Sequence, residues 1–214
     1  KVEKKENTEI KRAIVLMSTN DKLTGELPKR LFDSFLNALN KSPSAALFII
    51  GHVGEEYYRE TGSTRDYQYF EFTKGNIEDH DDEFHQLALI LEDYEEVEVY
   101  HGHFQTLFTQ IPMDVDITGE ASLEQLNTLQ SSTHQDKDLS FLVEPSLEKV
   151  VNHFRQQVRY ILLKQTVHES ELAFNASRAV AMEEANRQIN GKKQALAKAI
   201  IHYDSNARNK KQLG

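Results

Sequence analysis

The feature that most constrains this chain is a long C-terminal segment almost free of helix-breaking residues. After Pro145 there is no further proline, and Gly191 is the single glycine over the next 60 residues or so. This composition predicts one long helix, or two helices broken near Asn190-Gly191. At 1.5 Å per residue, 60 helical residues extend ~90 Å, which is longer than a globule of this size. Part of the segment must therefore protrude from the rest of the protein or pair with a partner.

The two parts of this segment differ in side-chain size. Large apolar residues dominate its first third, and we expect them to bury against the preceding domain: Leu147, Val150, Val151, Phe154, Val158, Ile161 and Leu162. Small residues are frequent further along: Ala173, Ala176, Ala179, Ala181, Ala185, Ala195, Ala197 and Ala199. Small side chains at helical spacings let another helix approach closely, so the later part favours helix pairing.

The first half of the chain alternates between short apolar runs and amphipathic stretches. The apolar patterns predict strands over 13–17, 46–50, 67–72, 97 to about 109, and near 115–118. Helices are predicted from Pro28 to about Asn40, over 55–60 and over 81–91. This rhythm is typical of an α/β fold, a mostly parallel Rossmann-like sheet with helices on both faces. We assign residues 1–140 to the sheet domain, with a polar excursion over 119–140, and residues 141–214 to the long helix, whose later part protrudes as a coiled-coil shaft.

The charge of the chain is distributed unevenly along its length. The 214 residues carry a net charge of -9 and contain no cysteine. Residues 55–99 hold fifteen acids against three bases, whereas residues 185–214 hold seven bases and one acid. The absence of cysteine excludes disulfides, cysteine-ligated zinc and a cysteine nucleophile. The basic tail lacks interleaved aromatic residues, so we predict a protein partner for it and no nucleic acid.

An enzyme of the nucleotide- or metal-dependent type is the main alternative for such a sheet. Residues 18–25 and 51–54 follow the first two strands, and neither segment matches a glycine-rich phosphate loop. His80, Asp81, Asp82 and His85 lie together in the chain, and His101 and His103 share one face of a strand. These groups could hold a divalent ion if the fold brought them together. We predict no cofactor and no metal, since the helix dipole also explains acids at a helix start.

Four short motifs together resemble one protein family. Residues 171–182, ELAFNASRAVAM, are similar to the C-terminal helix of the gamma subunit of F-type ATP synthases, with Ala173, Ala176, Arg178, Ala181 and Met182 on matching positions. The segment 142–146, LVEPS, resembles the entry to that helix. MSTNDKLTGEL within residues 16–27 and IIGHVGEEYY within residues 47–58 resemble the family's segments after the first two strands. The motifs occur in the family's order and span most of the chain.

This resemblance implies a non-catalytic rotor subunit of the central stalk. Such a subunit couples proton or ion translocation to ATP synthesis or hydrolysis by rotating inside the hexamer of catalytic alpha and beta subunits. Its other implied partners are an epsilon-type subunit and the membrane rotor ring, so we expect a peripheral protein on the cytoplasmic face of a membrane, the bacterial inner membrane. The implied partner contacts are assigned by position. Phe141 and Glu144 are assigned to the ring and Arg208 to the catalytic subunits, and Arg178, Met182 and Asn209 are further partner contacts that the resemblance implies.

The chain also departs from the family pattern. The family begins with a helix of about 60 residues that forms the other half of its coiled coil, whereas this chain starts almost at its first strand. About four extra residues separate Met182 from Arg208, which would shift the coiled-coil phase. We therefore expect that both ends of the shaft lie outside this sequence, or that the protein is a divergent rotor subunit without a standard membrane sector. A helix-pairing adaptor unrelated to rotation is the third possibility.

Overall fold

The described part of the chain forms one five-stranded sheet, three helices of ordinary length and one very long helix. The structure, a computed structural model, describes residues 11–71, 81–118 and 147–212. Its elements are β1 (Arg12–Met17), α1 (Leu27–Lys41), β2 (Ala46–Ile50), α2 (His52–Glu60), β3 (Gln68–Phe70), α3 (Asp81–Leu91), β4 (Glu96–Thr106), β5 (Thr109–Asp116) and α4 (Leu147–Gln212). The predicted boundary between the two domains falls outside the described residues and stays a prediction.

The strands lie in the order β3-β2-β1-β4-β5. The first four are parallel to one another, and β5 pairs antiparallel with β4. The chain builds outward from β1 to β3 and then continues on the other side of β1 with β4. In open sheets of this kind the carboxyl ends of the two strands at that reversal frame the crevice that binds ligands.

Helices cover both faces of the sheet, which confirms the predicted architecture. Alternate residues of a strand point to opposite faces, so Val15 joins the core under α3 and α4, while Leu16 joins the core under α1 and α2. The runs at β1 and β2 are apolar at every position because both of their faces are buried. α1 begins with Pro28 in its first turn and buries Leu31, Phe32 and Phe35 along one face.

The end of the sheet differs from the sequence prediction. Strand β4 ends at Thr106, the chain turns at Leu107 and Phe108, and β5 begins at Thr109, so the expected strand near 115–118 is instead the end of a longer hairpin strand. The turn contains no glycine, proline or asparagine, which are the usual signals of a hairpin. Pro112 is tolerated within β5 because this strand lies at the edge of the sheet.

α4 is a single continuous helix of 66 residues, ~100 Å long. It passes through Gly191 without a break, so the one-helix alternative is confirmed. No atom of the described residues, apart from the helix itself, lies within 4 Å of the position that a Cβ at Gly191 would take. Among the described residues no helix is both long enough and apolar enough to span a membrane.

The part of α4 that packs on the sheet begins later than we expected from its large apolar residues. Val150, Phe154 and Ile161 are each more than 40% exposed, so the prediction that they bury against the domain is wrong, whereas Leu162 packs against the core on the α3 side as predicted. The buried residues are concentrated over 163–177 instead: Leu163, Thr166, Val167, Ser170, Ala173, Phe174, Ala176 and Ser177. Small and hydroxyl-bearing side chains allow the close approach that the larger residues of the first turns would prevent.

Candidate functional site: the seat of the long helix

The long helix crosses the sheet at the reversal point between β1 and β4. Leu163 and Val167 of α4 belong to the core on the α3 side, whereas Ala173 and Phe174 belong to the core on the α1 side. The helix therefore passes from one face of the sheet to the other over the carboxyl end of β1. We call this region, formed by α4 residues 163–178 and the sheet residues that contact them, the seat.

Ser170 lies at the middle of the crossing, where two strands separate. The last residues paired between β1 and β4 are Leu16 and Tyr100. Beyond them, the Ser170 hydroxyl accepts a hydrogen bond from the backbone N–H of Gly102 and donates one to the carbonyl of Met17, both at 3.4 Å. The hydroxyl thus satisfies backbone groups that the ladder no longer pairs, in a buried position where unpaired groups are costly.

Glycine at position 102 allows α4 to approach the strand. A Cβ at Gly102 would lie 3.2 Å from the Cβ of Ala173 and 3.2 Å from a methyl group of Leu27. Both distances are shorter than ordinary van der Waals contacts. Gly102 on β4 and Ala173 on α4 are therefore a matched pair of small residues that sets the depth of the helix on the sheet.

The loop between β1 and α1 contacts the C-terminal end of the α4 residues in the seat. The Ser177 hydroxyl donates to the carbonyl of Thr24 at 2.7 Å, and Arg178 Nη1 donates to Asp21 Oδ2 at 2.6 Å. Gly25 has a φ of +68°, and a Cβ there would lie 2.9 Å from the Ser177 hydroxyl. Two motifs that the sequence resemblance singled out, in residues 16–27 and 171–182, are thus in direct contact.

The position at which such folds hold a phosphate is filled by the protein itself. At the start of α2, the N–H of His52 donates to Asn20 Oδ1 at 2.9 Å and the N–H of Val53 donates to the carbonyl of Thr19 at 3.0 Å. These are the amides that would otherwise face an anion at a helix N-terminus. Gly51, with a φ of +92°, brings this turn against the backbone of Ser18. Together with the seat, these contacts fill the crevice on which a nucleotide-dependent enzyme would rely.

The histidines considered as metal ligands do not form one group. His80 and the side chains of Asp81 and Asp82 lie outside the described residues, while His85 packs against Tyr160 on α4 with ring centroids 5.6 Å apart. His101 and His103 lie under α4, where His103 Nδ1–H donates to Glu169 Oε1. Among the side chains that the structure describes, no cluster of three or more metal-ligating residues occurs.

The predicted partner-contact residues that the structure describes all lie between the middle of α4 and its C-terminal end. Arg178 is half-buried in its ion pair with Asp21, and Met182, one turn further on, is 43% exposed. Arg208 and Asn209 are exposed near the far end of α4, ~45 Å beyond Arg178. Phe141 and Glu144 lie outside the described residues. Sequence reasoning missed Asp21, Gly102 and Ser170, whose roles depend on contacts between distant parts of the chain.

The free part of α4 carries an apolar stripe with a spacing of seven residues. Met182, Ile189, Leu196 and Tyr203 are between 43% and 75% exposed. The same column continues toward the N-terminus through exposed Phe154 and Ile161, with exposed His168 and Asn175 between them and Met182. A seven-residue apolar repeat is the pattern of a helix that pairs with another helix in a left-handed coiled coil. The repeat is present in the sequence, whereas the sequence-based prediction of helix pairing rested on the alanines.

Comparison with known proteins points to one family. A family model described as ATP synthase matches residues 1–200. No curated protein sequence matches the chain. Among solved structures, a chain of the Tetrahymena thermophila mitochondrial ATP synthase central stalk and c-ring is similar with a TM-score of 0.63 and 18% identity, covering 86% of this chain and 80% of its own length.

Two Euglena gracilis structures are similar as well. A chain of the mitochondrial ATP synthase rotor has a TM-score of 0.60 and 15% identity over 96% of this chain and 75% of its own. A chain of the OSCP/F1/c-ring assembly has a TM-score of 0.54 and 15% identity over 89% and 69%. These structural similarities concern the fold, and the family match extends over nearly the whole sequence. The chain belongs to the gamma-subunit family of ATP synthases.

Proposed function

We propose that this protein is a central-stalk subunit in which the sheet domain is the base and α4 is the shaft of a rotary ATP synthase or ATPase. The observation that carries the proposal is a single 66-residue helix that contacts the domain from Gln156 to Ala181 and is free over residues 182–212, where every described side chain is exposed. A shaft must be joined firmly to its base and must extend beyond it. The free part extends ~45 Å beyond the domain.

The seat is suited to transmitting torque between helix and domain. α4 contacts both cores of the sheet, so rotation of the helix about its own axis would remove Leu163 from one core and Phe174 from the other. The hydrogen bonds of Ser170 and Ser177 and the ion pair of Arg178 add directional contacts to this apolar packing. Buried side chains of this kind resist small displacements because protein interiors are close-packed.

The exposed stripe supports a paired shaft. Four large side chains spaced by seven residues would each enter the space between residues of a facing helix. Small residues, Ala185 and Ala199, lie three residues after Met182 and Leu196, and they would allow close contact there. The same part of the helix carries basic residues, among them Lys192, Lys193 and Lys198. They are suited to contacts with acidic surfaces of surrounding subunits.

The proposed partners follow from the assemblies in which the similar chains occur. The Tetrahymena chain lies in a central stalk with its c-ring, and one Euglena chain lies in an assembly with OSCP, F1 and the c-ring. We infer that this protein contacts alpha- and beta-type catalytic subunits, an epsilon-type subunit and a membrane ring, and that it has no active site of its own. It would then lie at the membrane surface as a peripheral subunit. The bacterial inner membrane stays a prediction, since the similar structures are mitochondrial.

Single-cysteine labelling provides a direct test because the chain has no cysteine of its own. Ile189→Cys lies in the apolar stripe, and Arg187→Cys lies on the opposite side of the same helical turn. In the complex purified from the native source, we expect the Ile189→Cys thiol to react with maleimide at least about tenfold more slowly than the Arg187→Cys thiol, because a facing helix would cover it. In the isolated chain the two variants should react equally. Equal rates in the complex would contradict the paired shaft.

The same purification separates the three functional hypotheses. A rotor subunit should bring alpha- and beta-type ATPase subunits with it, whereas an unrelated adaptor should not. The isolated chain should neither bind ATP tightly nor hydrolyse it in the presence of Mg²⁺. Turnover by the isolated chain would instead support the enzyme alternative.

A further inference from the structure

One titratable side chain is buried within the seat without a complete set of hydrogen bonds. His101 on β4 has no exposed surface. Its Nδ1 lies 3.1 Å from the carbonyl of Gly102, and because a carbonyl can only accept, Nδ1 carries the proton. Its Nε2 is then a bare acceptor, and no hydrogen-bond partner faces it among the described residues.

Charged or titratable groups act on His101 from three elements, and two further elements contribute apolar side chains to the core on its face of the sheet. The charged or titratable groups that act on it are Glu169 on α4, His103 on β4 and Asp114 on β5. Glu169 already accepts a hydrogen bond from His103. β1 and α3 contribute apolar side chains to the core on this face, including Met17 and Leu87.

Protonation of His101 is therefore unfavourable while the helix is seated. Burial lowers the pKa of His101 below its ordinary value of about 6.5, although nearby Glu169, the Gly102 carbonyl and Asp114 partly oppose this shift. A proton on Nε2 would create a buried cation and a donor without an acceptor. Movement of α4 away from the strand would expose the ring to water and relieve both problems.

We propose that His101 makes the seat acid-sensitive, so that its protonation at Nε2 releases α4 residues 163–178 from the sheet. The direction follows from proton linkage. Below pH 6.5 the released state binds a proton that the seated state excludes, so acid favours release, and the seat is fully stable only above that pH. The proposal concerns the isolated chain. Its meaning for torque transmission rests on the proposed function.

Hydrogen exchange of the full chain between pH 7.5 and 5.5 tests this inference. After correction for the intrinsic pH dependence of amide exchange, we expect protection of residues 163–178 to fall by up to about tenfold per pH unit below 6.5. Protection of β2 should change less. Constant protection of residues 163–178 over this range would overturn the proposal.

Variants distinguish His101 from other titrating groups. His101→Leu should remove the acid-induced loss of protection, whereas His168→Gln, an exposed histidine on the same helix segment, should keep it. His101→Asn provides a second test in which an amide can still donate toward the Gly102 carbonyl, in case the leucine variant folds poorly. If the folded position-101 variants lose protection in acid as the unmodified chain does, His101 is not the sensor. Because no partner subunit is involved, that outcome would leave the rotor proposal intact.

Discussion

The seated and free parts of α4 belong to one helix, but they differ in which side chains are buried and which are exposed. Over residues 163–178 the inward face consists of alanine, serine, threonine and a few apolar residues that touch the sheet. Over residues 182–212 the largest apolar side chains point to solvent. The comparison shows that side-chain size has a different meaning in the two parts of the helix. Small residues mark contact within the chain, and exposed large ones mark a surface for another helix.

The largest difference in the free energy of unfolding is expected when one large side chain is removed from each part. Phe174→Ala should destabilise the fold by ~3–5 kcal/mol, because Phe174 is buried in the core on the α1 side. Tyr203→Ala on the free part should leave stability within about 0.5 kcal/mol. Urea unfolding followed by circular dichroism measures both. Equal losses would mean that the free part is packed against the domain after all.

A smaller difference in stability is expected between two variants in which a serine of α4 is replaced by alanine. Ser177→Ala removes the 2.7 Å hydrogen bond to the Thr24 carbonyl in a buried position and should cost ~1–2 kcal/mol. Ser205→Ala is the matched control on the exposed part of the same helix and should be neutral. Stability that is unaffected by Ser177→Ala would indicate that apolar packing alone holds the seat.

Replacing a glycine by alanine should change stability in opposite directions in the two regions. Gly191→Ala fills empty space on an exposed helix and should stabilise it by up to ~1 kcal/mol, because alanine has the higher helix propensity. Gly102→Ala should destabilise the protein, since its Cβ would approach Ala173 and Leu27 too closely. Thermal unfolding of the pair checks the signs, and a stabilising Gly102→Ala would contradict the close approach.

The smallest effect on the isolated fold is expected from charge reversal. Arg178→Glu breaks an ion pair that is partly exposed to water and should cost less than about 1 kcal/mol. Arg208→Glu should leave the isolated fold unchanged. Both should weaken co-purification with catalytic subunits if the positions assigned by resemblance are contacts. An Arg208 variant that assembles normally would remove that residue from the interface.

The secondary structure was largely predictable because its signals are local. β2 and α3 were predicted with the bounds observed, and β1 and α1 within about one residue at each end. Continuous apolar runs and an amphipathic stripe are properties of neighbouring residues. The β4–β5 hairpin was missed because Leu107 and Phe108 are not turn-forming residues.

The seat could not be predicted in the same way. Ser177 and Thr24 are separated by 153 positions, and so are Ser170 and Met17. Serine and glycine have no periodic signal that would link them across this distance. The resemblance nevertheless selected both sides of the contact, in residues 16–27 and 171–182, without indicating that they touch.

Because α4 is part of the same chain, the contacts that hold it in the crevice need not be strong. An α4 that occupies the position of a ligand is in effect a tethered ligand, and its covalent connection keeps it at a local concentration on the order of millimolar. Binding of a free helix would have to overcome the loss of translational freedom, whereas this helix does not. Contacts that would give only weak affinity between separate molecules, such as two serine hydroxyls and one partly exposed ion pair, can therefore keep the site occupied.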